Sequence, residues 1–333
     1  MEEKELLSLC QNRAPVQRIA LSQFWTAEIY SFGKYIREYG FFPSSWPLCI
    51  YTDHGVGRRE YPFEHELKSG APCQFYHSPK SVEVWKKYST KPCHVLYSPF
   101  AFYRRKNKIE KASNASGTIA FPAHTTQAID DVSDIEIYID QLLALPEEFQ
   151  PVSVCLHMHD INKGRHKIFL KHKVPVYTAG ESLDDRFVER FYSILKNFAY
   201  ATSNLVGSYL YYSVEMGIPF SIYGNKQVFI NKGDPNVTIG EYDPYKEYRY
   251  YRQVYDMFYG LHTEITEKQR ELVETDLGLR DGVSRLKMAR ILYTSLFKYA
   301  VSHEGSKVIL PFITSGVKRR TERLFFLNGK NVI

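Results

Sequence analysis

Thr202-Ser203-Asn204-Leu205-Val206-Gly207-Ser208 follows a short apolar run and opens a stretch with helical spacing. The helix closes at Val214-Glu215-Met216-Gly217, and Ile218-Pro219-Phe220-Ser221-Ile222-Tyr223 then reads as a strand. A strand that ends in small polar residues and passes at once into a helix offers hydroxyls and unpaired N–H groups at the positive end of the helix dipole. That arrangement suits a phosphate. Ser203 or Asn204 could equally act as a plain helix cap.

The same alternation extends on the amino side. Val152-Ser153-Val154-Cys155-Leu156-His157 and Val174-Pro175-Val176-Tyr177 read as strands, and Thr118-Ile119-Ala120-Phe121 as a shorter one. A helix is expected over 132–145. Another starts near Asp184 under a Ser182 cap, with Phe187, Phe191, Ile194, Leu195 and Phe198 on one face. Before a polar linker at 106–117, a helix is expected over 22–38 and strands over 48–51 and 94–97. Strands and helices in alternation, with short connections, argue for parallel sheets covered by helices. Ligands of such sheets sit at the carboxyl ends of the strands. The loops to inspect are therefore 52–57, 122–126, 157–166, 178–182, 202–207 and 223–226.

Bulk composition narrows the class. The chain has 333 residues, 44% hydrophobic and 24% charged, which suits two packed domains and excludes global disorder. No apolar run reaches the length of a membrane span, and the acidic start Met1-Glu2-Glu3-Lys4-Glu5 is unlike a secretion leader, so a cytoplasmic location is expected. Five scattered cysteines without a CxxC pair argue against a disulfide framework or a structural zinc site. The net charge is +6, yet the stretch from Arg285 onward carries +8 and leaves −2 for the rest. No nucleic-acid-binding signature accompanies that basic end. Tyr 26, Phe 21 and Trp 3 make the chain 15% aromatic, which fits either core or wet binding surface.

Several loops carry groups with chemistry. Thr52-Asp53-His54-Gly55 ends a strand, where an Asp or His facing a cleft could take the proton of an attacking hydroxyl. Gly55 would let the backbone approach a substrate. Asp53 and His54 both qualify as the base, and a turn capped by Asp53 would explain the same residues. His157-Met158-His159-Asp160-Ile161-Asn162-Lys163-Gly164-Arg165 concentrates polar groups. A metal site is conceivable there. The preferred reading has Lys163 and Arg165, helped by His159, neutralising a leaving phosphate, against a plain solvated basic loop. His124 and Thr125 end another strand, and Thr178 a further one. No Asp-x-Asp element stands at a strand end, and Asp184-Asp185 reads as compensation of a helix dipole. No metal or cofactor is therefore expected.

The run from Ser203-Asn204 through Glu215 to Gly217-Ile218-Pro219 resembles the nucleotide-sugar-binding half of GT-B glycosyltransferases over roughly 150–225. The resemblance implies that Ser203, Asn204 and Gly207 hold the phosphate of a nucleotide-sugar donor and that Glu215 lies near its ribose. It implies that the loop at His124 faces the donor phosphates. The loop at 157–165 is similar in place to one where bacterial sialyltransferases carry a His-Pro element, although the Pro is missing here. His54-Gly55 resembles the His-Gly that serves as base in teichoic-acid-type polymerases.

The expected architecture is α/β, with two Rossmann-like domains in the GT-B manner and a helical C-terminal extension. The boundaries are 1–112 for an acceptor-side domain, 113–240 for the nucleotide-sugar domain and 241–333 for a basic helical region. That last region would pack across the domains or dock on an anionic membrane through Arg285–Lys298 and Lys318-Arg319-Arg320. The implied activity is metal-independent transfer of a sugar to a growing bacterial surface glycan of the lipopolysaccharide or capsule type. The acceptor would be a glycan or a lipid-linked glycan, and the enzyme could be peripheral at the inner membrane. Polyol-phosphate transfer, nucleotide-sugar epimerisation and non-catalytic binding in glycan assembly are the alternatives.

Overall fold

The computed structural model describes residues 1–11, 22–126, 128–234, 237–307 and 309. Lys318, Arg319 and Arg320 lie outside them. In chain order the strands are β1 (Tyr51–Thr52), β2 (Gln74–Tyr76), β3 (Cys93–Val95), β4 (Thr118–Ala120), β5 (Ile129–Asp131) and β6 (Val152–Cys155). They continue with β7 (Val176–Tyr177), β8 (Tyr200–Ser203), β9 (Phe220–Ile222), β10 (Phe229–Asn231) and β11 (Gly240–Tyr242).

The chain is α/β, with two parallel sheets. A three-stranded sheet runs β1-β2-β3, and a five-stranded one runs β7-β6-β4-β8-β9. In the larger sheet β4 is central. The chain steps outward to β6 and β7, then crosses back to β8 and β9, so the strand order reverses between β4 and β8. A crevice opens at the carboxyl edge of such a switch point. A third, antiparallel sheet, β11-β10-β5, was not expected from the sequence. Its strands are three residues long and lack sustained alternation. Strand β2 was also missed, because Gln74-Phe75-Tyr76 is buried on both faces and shows no period of two.

The expected helix over 22–38 is broken. Short 3-10 turns cover Ser22–Ala27 and Ile29–Ser31, and a regular helix starts only at Phe32 and ends at Tyr39. Tyr30 and Ser31 sit at φ 55° and 63°, the left-handed region that bulky residues avoid. Contacts to the other half hold them there. Tyr30 N–H donates to the Ser182 carbonyl at 2.5 Å, and Ser31 Oγ to the Asp184 carbonyl at 2.8 Å. Ser182 is thus not the cap of the following helix, which begins at Phe187.

One hydrophobic core spans both parallel sheets. Helices Phe32–Tyr39, Pro99–Lys106, Phe187–Leu195 and Ser208–Glu215 meet in it, and the Phe100 and Tyr212 rings stack at 4.1 Å. Helix Glu3–Gln11 places Leu6 and Cys10 among Val154, Phe169 and Val176, on the five-stranded sheet rather than the smaller one that follows it in sequence. Helix Arg285–Ala300 returns to the first half, burying Met288 and Leu292 beside Ile36.

Candidate functional site

A cavity of about 440 Å³ lies where the carboxyl ends of the two parallel sheets face each other. Loops after β1, β4, β6, β7 and β8 line it, and Ile129, Phe229 and Tyr242 of the antiparallel sheet close one side. The switch point therefore holds a cavity, as the topology dictates.

Of the residues singled out above, His54, Gly55, His124 and Gly207 line this cavity. His54 is half-buried with its ring 5.2 Å from Trp25. Burial pushes its pKa below the ordinary 6.5. Asp53 pulls the other way, and Arg59, His65 and His124 add to the lowering. Asp53 is buried behind His54, accepting from Arg59 Nη2 at 2.8 Å and from the Gly55 amide at 3.2 Å. Burial alone would raise its pKa, but Arg59, His54 and His77 override this and hold it below the usual carboxylate value. A neutral imidazole thus faces the cavity, with a paired carboxylate behind it.

The turn after β8 also differs from the expectation. Leu205, Val206, Gly207, Ser208 and Tyr209 line the cavity. Ser203 and Asn204 instead hold the turn in place. Ser203 Oγ accepts from the Leu205 amide at 3.0 Å and contacts Tyr209 Oη at 2.9 Å, and Asn204 Oδ1 accepts from the Ala123 amide at 3.1 Å. Gly207 precedes helix Ser208–Glu215, and a Cβ there would meet the Tyr209 ring at 2.5 Å. Only glycine leaves this turn open.

His157 contributes a ring to the wall that is stacked on His124 at 4.5 Å. Its Nδ1 accepts from the His159 amide at 3.3 Å, so its neutral form carries the proton on Nε2, 3.4 Å from Tyr30 Oη. Burial, then His124 and His159, pushes its pKa well below 6.5. His124 Nδ1 contacts the Thr125 carbonyl at 3.0 Å and must donate there, which leaves Nε2 as its acceptor. Tyr30, brought in by the left-handed kink, is pushed up to about 12 by burial and keeps its hydroxyl proton.

The expected phosphate cations are occupied. Lys163 donates to Asp130 and to the Thr126 carbonyl, both at 2.9 Å. Arg165 bridges Asp160 at 3.1 Å and Asp131 at 3.0 Å. Neither lines the cavity. Thr125 is buried against Asp160, and Thr178 Oγ1 accepts from the Gly180 amide. His159 is half-buried beside His157 but outside the wall. Glu215 closes the far end of its helix, where Arg104 and Arg105 take its carboxylate at 2.6 to 2.8 Å. Among the described residues, no group of three or more His, Cys, Asp or Glu is arranged to hold a metal.

No family model matches the chain, and no curated protein matches it. Two solved structures of the wall teichoic acid polymerase TagF, both with CDPG, are loosely similar. One is 10% identical, covers 76% of this chain and 68% of that one, and has a TM-score of 0.37. The other is 13% identical, covers 87% and 62%, and has a TM-score of 0.31. The likeness is loose.

Residues the sequence did not nominate complete the wall, chiefly Tyr30, Arg58, Tyr209 and Tyr251. Arg58 follows directly on Gly55-Val56-Gly57, and its place in a strand-end loop was a usable signal. Nothing in the local pattern announces Tyr30, since its position depends on the kink.

Proposed function

We propose that this chain is a glycosyltransferase of the GT-B kind, moving a sugar from a nucleotide-sugar donor to a growing surface glycan. The observation that carries the reading is the single cavity in which His54 and Gly55 of one parallel sheet face the Gly207 turn of the other. The donor phosphates lie at the 205–209 turn, beside His124 and His157. His54, neutral and backed by the Asp53–Arg59 pair, removes the acceptor hydroxyl proton as the new C–O bond forms, and a group so placed contributes about 10²–10⁴-fold. Asp53, bound to Arg59 and the Gly55 amide, organises the loop that carries His54 and is not itself the base. Sugar binding suits the aromatic wall, which includes Tyr248 and Tyr251.

The test is turnover of a nucleotide-sugar panel, first sorted by thermal stabilisation. Replacing His54→Gln should lower kcat/KM by at least about a hundredfold while nucleotide stabilisation is retained, and turnover should persist in EDTA. Near-wild-type turnover of the variant would overturn the assignment.

In this reading the acceptor is presented at an anionic membrane. Leu286 (76% exposed), Tyr293 and Phe297 (68% exposed) follow each other along the outer face of helix Arg285–Ala300, and Phe41 and Trp46 are exposed next to Tyr293. Lys287, Arg290 and Lys298 are exposed on the same helix. Apolar and aromatic side chains ringed by cations suit a lipid surface of negative charge. Flotation with vesicles containing phosphatidylglycerol should carry the wild-type protein, and a Leu286→Glu, Phe297→Glu variant should stay at the bottom of the gradient.

A further inference from the structure

Transfer of a sugar leaves charge behind. As the bond between the anomeric carbon and the donor's phosphate oxygen breaks, its electron pair stays on that oxygen. The acceptor oxygen forms the new bond, and its proton goes to His54. The departing nucleotide then needs a cation or fixed hydrogen-bond donors. Lys163 and Arg165 are occupied by aspartates outside the cavity, and Arg104 and Arg105 by Glu215. Arg59 is held by Asp53 with its guanidinium 4.1 Å over the Phe63 ring.

Arg58 is placed differently. It lines the cavity, and its side chain is 29% exposed. Asp276 grips it through Nε alone, at 2.9 and 3.2 Å, and no acceptor among the described residues takes Nη1 or Nη2. Its Cζ lies 5.1 Å from the centre of the Tyr250 ring. Burial works against its charge, and the Asp276 bond more than restores it.

The grip is itself built. Asp276 ends helix Glu267–Asp276 with a side chain 0% exposed. Its carboxylate can only accept, so Tyr250 Oη donates to it, and Tyr211 Oη, 2.7 Å away, donates in turn to Tyr250. The Val56 amide donates to Ser208 Oγ at 3.0 Å, which ties the Arg58 loop to the start of the helix that carries Tyr211. Three helices and one loop thus fix a single guanidinium. A carboxylate on one edge of a planar fork leaves the other edge for a second oxyanion, which an ammonium cannot reproduce.

We propose that Arg58 binds the phosphate that leaves the donor, with the Tyr211–Tyr250–Asp276 chain as its positioning device. This rests on the transferase reading above. Inorganic pyrophosphate binding, followed by calorimetry, tests it with Arg58→Lys, Arg58→Gln and the exposed control Arg252→Gln. Arg58→Lys keeps a cation beside buried Asp276 and so guards the fold. Both Arg58 variants should bind pyrophosphate at least about tenfold more weakly, with the control unchanged. Equal affinity in the Arg58 variants, or no pyrophosphate binding by the wild-type protein, overturns the inference. The two proposals fail separately. Sugar transfer with Arg58-independent pyrophosphate affinity removes only this one. Arg58-dependent affinity without turnover of any nucleotide sugar leaves the anion site and removes the transferase.

Discussion

His54 and His77 are two histidines of the small sheet with opposite uses for a lowered pKa. His54 faces the cavity, where neutrality at neutral pH is what a base requires. The acid limb of kcat/KM should therefore fall below pH 6.5, with activity lost as His54 gains its proton. A limb above 6.5 would assign the base elsewhere. His77 follows β2 in the interior, and neither ring nitrogen has a partner among the described residues. Burial is the first cause that brings its pKa to about 4, with Asp53 opposing and His54 assisting. Between that value and 6.5 the unfolded chain binds the proton and the native one does not. Stability is complete above pH 6.5 and drains as the pH falls toward 4, by up to on the order of 3 kcal/mol. Urea midpoints at pH 7.5 and 5 should drop further apart in the wild-type protein than in His77→Leu, and equal drops in both would refute this.

At the scale of elements, the helix Ser208–Glu215 and its exit show what the sequence could tell. Gly217 sits at φ 86° after the helix, and the Ile218 amide bonds back to the Ser213 carbonyl at 2.9 Å, so this glycine is a left-handed helix stop. Glu215 holds Arg104 and Arg105. The spacing that reads as a donor motif is thus met here by a turn and an ion pair. Replacing Glu215→Gln should cost about 1–3 kcal/mol of stability, because it removes the buried carboxylate that the partly buried Arg104 and the exposed Arg105 share, and leave the donor KM within twofold. A raised KM with an unchanged melting temperature would instead give Glu215 a place at the ribose. The parallel strands β4, β6, β8 and β9 were legible because each is a short apolar run bounded by polar turns. The stripe Phe187, Phe191, Ile194 and Leu195 was legible as helix for its spacing, and it packs as core or against it. Strand-end loops were legible as a class, since topology decides where they gather. Which side chain in each loop reaches the cavity was not, because that depends on contacts distant in sequence. Asn204 bonds to Ala123, Arg165 to Asp131, and the kink at Tyr30 and Ser31 is held by Ser182 and Asp184.

Across the whole molecule, the shared core joins the two parallel sheets into one packing unit. Calorimetry should show one transition, and Phe100→Ala, which empties the ring stacked on Tyr212, should lower it by about 3–5 kcal/mol without splitting it. Two resolved transitions would mean that the halves unfold separately. The docking of helix Glu3–Gln11 on the five-stranded sheet has a consequence for synthesis. Leu9 accepts from the amide of Glu181, and Cys10 touches Thr178, contacts about 170 residues apart along the chain. At roughly 5–20 residues per second, that helix leaves the ribosome roughly 10–30 seconds before its seat exists. An isolated helix of nine residues is marginal in water, so the segment waits unfolded while the smaller sheet is made. Its apolar residues, Leu6 and Cys10 among them, are open to a chaperone through that interval.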